Sequence, residues 1–185
     1  MLQLRASSLA DTHRIAAAIA ELCRGGDLVV LAGEMGAGKT AFAQGFGRSL
    51  GITEPITSPT FTLVHSYDIP ASSTTATRPT GARSLHHADL YRLDRTAEIA
   101  DLALEELAEY QGIVLVEWGD VVESLFGDHL VVHLEAEFDV DAPDGDAPGD
   151  PAAGDDVRMI EISATGARWA DRWSRVVAAC QEFTC

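Results

Sequence analysis

Apolar residues recur at helical spacing in residues 8–23, where Leu9, Ile15, Ile19 and Leu22 form one stripe. Ser8 stands where an N-cap belongs, and Gly25-Gly26 supplies a stop. The period then disappears: residues 27–32 (DLVVLA) are a short, nearly continuous apolar run, as in a strand buried on both faces. A glycine-rich turn follows, and the pattern predicts a second helix over 39–50.

Further along, residues 60–67 (TFTLVHSY) read as a strand, and the chain resumes regular structure at 85–93. A helix is predicted over 96–107 from the spacing of Ile99, Leu102, Ala103 and Leu107. Residues 113–116 (IVLV) form another buried strand that ends at Glu117, followed by a short helix near 121–126. Segments 129–138 and 157–163 pair naturally as a hairpin, and a final helix buries Trp169, Trp173, Val176, Val177 and Cys180. Strands alternating with helices predict an α/β fold: three layers around a central mixed, mostly parallel sheet, with 129–138 and 157–163 at its far edge.

Two stretches have nothing to bury. Residues 69–84 are rich in Ser, Thr, Ala and Pro, and 139–156 hold seven aspartates and no base. Both read as flexible insertions in a single domain spanning 1–185. A calcium loop is disfavoured in the second, because Pro148 falls where a ligand belongs in the register from Asp144 to Asp155.

Composition narrows the function. The 185 residues are 46% hydrophobic, enough for a folded core, and carry a net charge of −16. Without residues 139–156 the charge is still −9. That field repels nucleic-acid phosphates, so strong direct RNA or DNA binding is not expected. Cys23, Cys180 and Cys185 lack metal-ligand spacing and are odd in number, which points to reduced thiols and a cytoplasmic protein. No stretch approaches the ~18 apolar residues of a membrane span.

Lys39 is the only lysine in the sequence, and it lies in Gly33-Glu34-Met35-Gly36-Ala37-Gly38-Lys39-Thr40, a G-x-x-x-x-G-K-[ST] phosphate loop. In such a loop successive backbone N–H groups meet phosphate oxygens at a helix start. The binding segment runs from Glu34 through Met35, Gly36, Ala37, Gly38, Lys39 and Thr40 to Ala41. Lys39 neutralises charge on the terminal phosphates, and the Thr40 hydroxyl is suited to Mg²⁺. Glu117, after four apolar residues, sits where an acid faces the nucleotide and either holds Mg²⁺ or orients water. Two further segments, Thr57-Ser58-Pro59-Thr60-Phe61-Thr62-Leu63-Val64 and His87-Ala88-Asp89-Leu90-Tyr91-Arg92-Leu93, read by pattern alone as a turn or a polar strand end, with a part in catalysis as the alternative.

Taken together, the glycine loop, Ser58-Pro59-Thr60-Phe61, His87-x-Asp89-Leu90-Tyr91-Arg92-Leu93 and Glu117-Trp118 resemble the TsaE family of small bacterial ATPases, across roughly residues 8–135. The resemblance implies a component of tRNA threonylcarbamoyladenosine synthesis that hydrolyses ATP with Mg²⁺ and works with the TsaB–TsaD complex. It implies that Thr40 and Glu117 serve the metal, that Lys39, Asp89 and Glu117 are the catalytic set, and that Ser58 and Thr60 belong to a switch. Trp118 would lie beside the nucleotide, and Thr12 is assigned a contact with the base. Met35 stands where the family usually has leucine, a swap that conserves volume.

Three other classes compete: a guanine reader, a small-molecule kinase, and a nucleotide-gated binder in which ATP orders a surface and turnover is incidental. Guanine readers use Asn-Lys-x-Asp, and this chain has no asparagine. A small-molecule kinase needs an arginine-bearing lid; Arg78 and Arg83 have no helical pattern around them to carry one.

Overall fold

A computed structural model of the chain describes residues 1–59, 61–71, 81–91, 102–118, 126–137 and 157–185. The elements run β1 (Leu2–Ala6), α1 (Leu9–Leu22), β2 (Leu28–Ala32), α2 (Lys39–Ser49), β3 (Val64–Asp68), β4 (Ser84–Asp89), α3 (Leu104–Glu109) and β5 (Gly112–Glu117). They continue with β6 (His129–Ala136), β7 (Arg158–Thr165), α4 (Ala167–Ala170) and α5 (Trp173–Ala179), closing on a 3-10 turn at Gln181–Phe183.

Seven strands form one sheet in the order β1-β7-β6-β2-β5-β4-β3. The centre is parallel, with β4, β5, β2 and β6 side by side, while β3, β7 and β1 add antiparallel flanks. The mixed α/β fold therefore matches the pattern of the sequence. The 129–138 and 157–163 hairpin also forms, but β6 is interior, between β2 and β7. The expected edge is instead occupied by β1, whose alternation of Leu2, Leu4 and Ala6 with Gln3 and Arg5 is only five residues long.

Every β2 side chain is buried. Period-two alternation sends Val29 and Leu31 to one core with Ile15, Ile19, Phe42 and Phe46, and Leu28, Val30 and Ala32 to another with Leu104, Ala108, Val114 and Val116. Helices α1 and α2 cover the first face and α3 the second, which makes the three layers. Ser8 caps α1 by accepting from the Asp11 N–H at 3.1 Å, while the Asp11 carboxylate accepts from Ser7 N. Helices α1 and α2 meet nearly backbone to backbone: a Cβ on Gly45 would lie 2.7 Å from the Cα of His13.

Several expectations need correction. Leu9 is 45% exposed rather than part of the buried stripe, whose inward face is Thr12, Ile15, Ala16, Ile19 and Ala20. The strand expected over 60–67 begins only at Val64, because Thr62 N and Leu63 N both bond the Pro59 carbonyl and put residues 61–62 in a turn; Thr60 lies outside the described residues. The final helix is broken at Asp171–Arg172, and Trp173 and Val177 are half-buried. Arg172 turns inward there to meet Asp27, with Nη2 2.7 Å from Oδ1. Of the helix expected over 96–107, residues 104–107 fall within α3, and 96–101 lie outside the described residues. Residues 121–125, 72–80 and 139–156, which carry the short helix and most of the two insertions, also lie outside them. The three cysteines are free thiols, and no described helix is long and apolar enough to cross a membrane.

Candidate functional site

Strand β2 delivers the chain to the glycine loop, and α2 begins at its end with Lys39. Gly33 has φ +128°, and a Cβ there would fall 2.1 Å from the Leu134 carbonyl oxygen, so no other residue fits. The Lys39 side chain folds back over the loop. Its ammonium donates to the Gly33 and Glu34 carbonyls at 2.7 and 2.8 Å and lies 3.7 Å from the centre of the Trp118 ring. Trp118 reaches that position with φ +60°, a left-handed conformation uncommon outside glycine, held by its N–H on the Leu31 carbonyl at 3.0 Å.

The acids come from the carboxyl ends of the two neighbouring parallel strands, where Asp89 and Glu117 are register partners. Thr40 Oγ1 donates to Glu117 Oε1 at 2.9 Å, and His87 Nε2 lies 2.9 Å from the same oxygen. Asp89 accepts from Ser58 Oγ at 2.6 Å and from the Tyr91 N–H at 2.9 Å. Both carboxylates are buried, and each is tied to a hydroxyl from a different segment.

These groups surround a cavity of about 410 Å³ lined by Met35, Gly36, Gly38, Lys39, Thr40, Ala41, Ser58, Asp89, Tyr91, Glu117 and Trp118. All but Tyr91 were site candidates from the sequence. Glu34 contributes its carbonyl to Lys39, and Ala37 is buried beneath the loop. Thr12 is not at the cavity: it is buried on α1, where its hydroxyl bonds the Ser8 carbonyl at 3.4 Å. Thr60 lies outside the described residues. The motifs give no separate role to His87, which here holds Glu117, or to Tyr91, whose ring lies 5.0 Å from that of Trp118 at a 48° tilt, and they do not include Arg158. Arg158 Nε donates to the Ala37 carbonyl at 3.0 Å across a separation of 121 residues, which no local pattern could signal.

Other cavities among the described residues are as large or larger. One of about 410 Å³ opens at the opposite strand ends beside Gly25, Glu105 and Arg168, and one of about 650 Å³ lies beside residues 51–57. Neither joins a helix N-terminus to a lysine and paired acids, so chemistry rather than size selects the glycine-loop cavity.

The arrangement suits an anion and a hard cation together. The first-turn N–H groups of α2 have no carbonyl of their own helix to bond, and with the Lys39 ammonium they favour negative charge. The Thr40 and Glu117 oxygens, already in contact at the cavity wall, are the donor type that Mg²⁺ takes. No cluster of three or more His, Cys, Asp or Glu ligands occurs among the described residues. Mg²⁺ fits that sparse set, because it keeps several waters and binds through one or two protein oxygens plus phosphates.

Comparison with known proteins bears on this geometry. Residues 6–142 match the family described as "Threonylcarbamoyl adenosine biosynthesis protein TsaE". The chain belongs to the TsaE family. Its relatives include the Bacillus subtilis "tRNA threonylcarbamoyladenosine biosynthesis protein TsaE", 34% identical over 86% of this chain and 83% of that one. The protein of the same name from Streptomyces coelicolor is 35% identical over 82% of this chain and 89% of its own. The crystal structure of Bacillus subtilis YdiB superposes with a TM-score of 0.68 at 28% identity, covering 96% of this chain and 94% of that one. The matched TsaE span contains the glycine loop, Asp89 and Glu117, and stops before Arg158.

Proposed function

We propose that this chain is the cytoplasmic ATPase of the tRNA N6-threonylcarbamoyladenosine machinery, hydrolysing ATP with Mg²⁺ and acting with the TsaB–TsaD complex. One observation carries the reading: the Lys39 ammonium and the Thr40–Glu117 pair converge on a single cavity at the start of α2.

Lys39 exchanges the Gly33 and Glu34 carbonyls for oxygens of the terminal phosphates, helped by the loop amides. Thr40 and Glu117 would supply protein oxygens to the metal, with His87 holding the Glu117 carboxylate. Magnesium, when bound, would neutralise the phosphate oxygens as the terminal P–O bond breaks. Asp89 accepts a hydrogen bond from water and aligns it for attack on the γ-phosphorus, giving ADP and phosphate. Ser58, bonded to Asp89, couples that acid to the 58–62 segment, so a change at the terminal phosphate is felt at the surface. Trp118 and Tyr91 form an aromatic wall that limits water.

Reconstitution tests the reading. Omitting the chain from a threonylcarbamoyl-transfer assay containing TsaB–TsaD should abolish multiple turnover, and adding it back should restore turnover only with ATP. Its ATPase activity alone should be slow and should rise with the partners; equal rates with and without them would count against the proposal. The net charge of −16 supports leaving tRNA to those partners.

A further inference from the structure

Arg158 opens β7, and its guanidinium makes two contacts with main-chain carbonyls: Nε donates to Ala37 O at 3.0 Å and Nη1 to Val157 O at 2.9 Å. In a planar trans peptide the carbonyl of one residue and the N–H of the next point in opposite directions. Ala37 is buried, whereas Gly38 lines the cavity. Holding the Ala37 carbonyl toward β7 therefore turns the Gly38 N–H toward the cavity. The units on either side are held, by Ala37 N–H on the Glu34 carbonyl at 3.1 Å and Phe42 N–H on the Gly38 carbonyl at 2.9 Å, but this peptide turns about a glycine torsion, Gly38 φ +104°, that permits wide rotation. The packing agrees: a Cβ on Gly38 would lie 3.5 Å from Arg158 Nε.

We propose that Arg158 is a positioning residue of the anion cradle, locking the Ala37–Gly38 peptide so that the Gly38 amide faces the phosphates. This rests on the ATP-binding reading above. It extends the site to β7, outside residues 6–142 that match the family model. Lysine is a poor substitute, because Nε and Nη1 are separate donors fixed in one plane, and a single ammonium at the end of a flexible stem does not keep Nε's place on the Ala37 carbonyl.

The test is calorimetric titration of the full chain with MgATP and with tripolyphosphate, for the wild type, Arg158→Lys and Arg158→Gln. Both variants should bind both ligands about tenfold more weakly, the loss of one well-aimed hydrogen bond to a charged group. In the [¹⁵N]glycine-labelled wild type the Gly38 amide resonance should move on adding tripolyphosphate. Full affinity in Arg158→Gln overturns the lock, even if its melting temperature falls, since that pattern means packing alone. Retained affinity in Arg158→Lys with loss in Arg158→Gln also overturns it, in favour of simple charge. An unmoved Gly38 resonance does the same. A wild type that binds no ATP defeats the ATPase reading itself, and the lock with it.

Discussion

Truncating Lys39 to alanine strips the Gly33 and Glu34 carbonyls of their donor and removes the only ammonium on the cavity wall. ATP affinity should fall about a hundredfold, near 2.7 kcal/mol, measured by calorimetry. Glu117→Ala should separate differently, with turnover lost by about 10²-fold or more and affinity changed by less than about tenfold. Normal hydrolysis by Glu117→Ala would refute the role given to this acid. At this scale the site was legible where chemistry is written locally. Lys39 and Thr40 belong to one eight-residue motif, and Glu117 is announced by the apolar run before it. Thr12 lies outside the lining of the glycine-loop cavity and is buried on α1, and helix position alone does not say which end of the sheet a side chain reaches.

Among the elements, α1 and α2 give a case where two effects oppose. Replacing Gly45 by alanine adds helix propensity of roughly 1 kcal/mol. The new methyl would meet backbone, at 2.7 Å from His13 Cα, so no rotamer change relieves it and the helices must part at a cost of about 1–3 kcal/mol. Gly45→Ala should therefore lower the melting temperature; a rise would show that this contact is soft. Strand β4 carries a second prediction. Burial lowers the pKa of His86 below the ordinary histidine value, with Ser66 and Ser84 hydroxyls 2.8 and 2.9 Å from its two ring nitrogens. The unfolded chain then binds protons more readily than the folded one, so stability is full above the ordinary histidine range and falls as the pH drops through it. Denaturant titrations should show this slope in the wild type and a shallower one in His86→Gln; His13, shifted the same way, keeps it from vanishing. The parallel strands were readable because burial on both faces leaves an unbroken apolar run, whereas β1 offers two buried positions and β3 is shortened by a proline-anchored turn.

Across the whole molecule, the carboxy-terminal helices are tied to the start of β2 by the Arg172–Asp27 pair, whose partners are 145 residues apart and both buried. Burial opposes the arginine's charge, but the Asp27 carboxylate outweighs it and the guanidinium pKa is raised. Removing one member strands a buried charge, so Arg172→Met should destabilise the fold by about 3–5 kcal/mol. The double replacement Asp27→Leu/Arg172→Met should be less damaging than Arg172→Met alone, as followed by urea unfolding. Equal damage would mean that the pair does not act as a unit. A sequence reader sees only an acid before a strand and an arginine in a helix; the break in that helix follows from their meeting.

Because the chain has a single lysine, an endoprotease that cuts only after lysine has one susceptible bond, at the junction of the glycine loop and α2. That bond is shielded, since Lys39 is 5% exposed and starts a packed helix. Cleavage into two fragments of fixed size would then clock how often this junction springs open, without any label or engineered reporter. MgATP should slow that clock, while digestion of exposed arginines by a separate, arginine-specific protease stays unchanged.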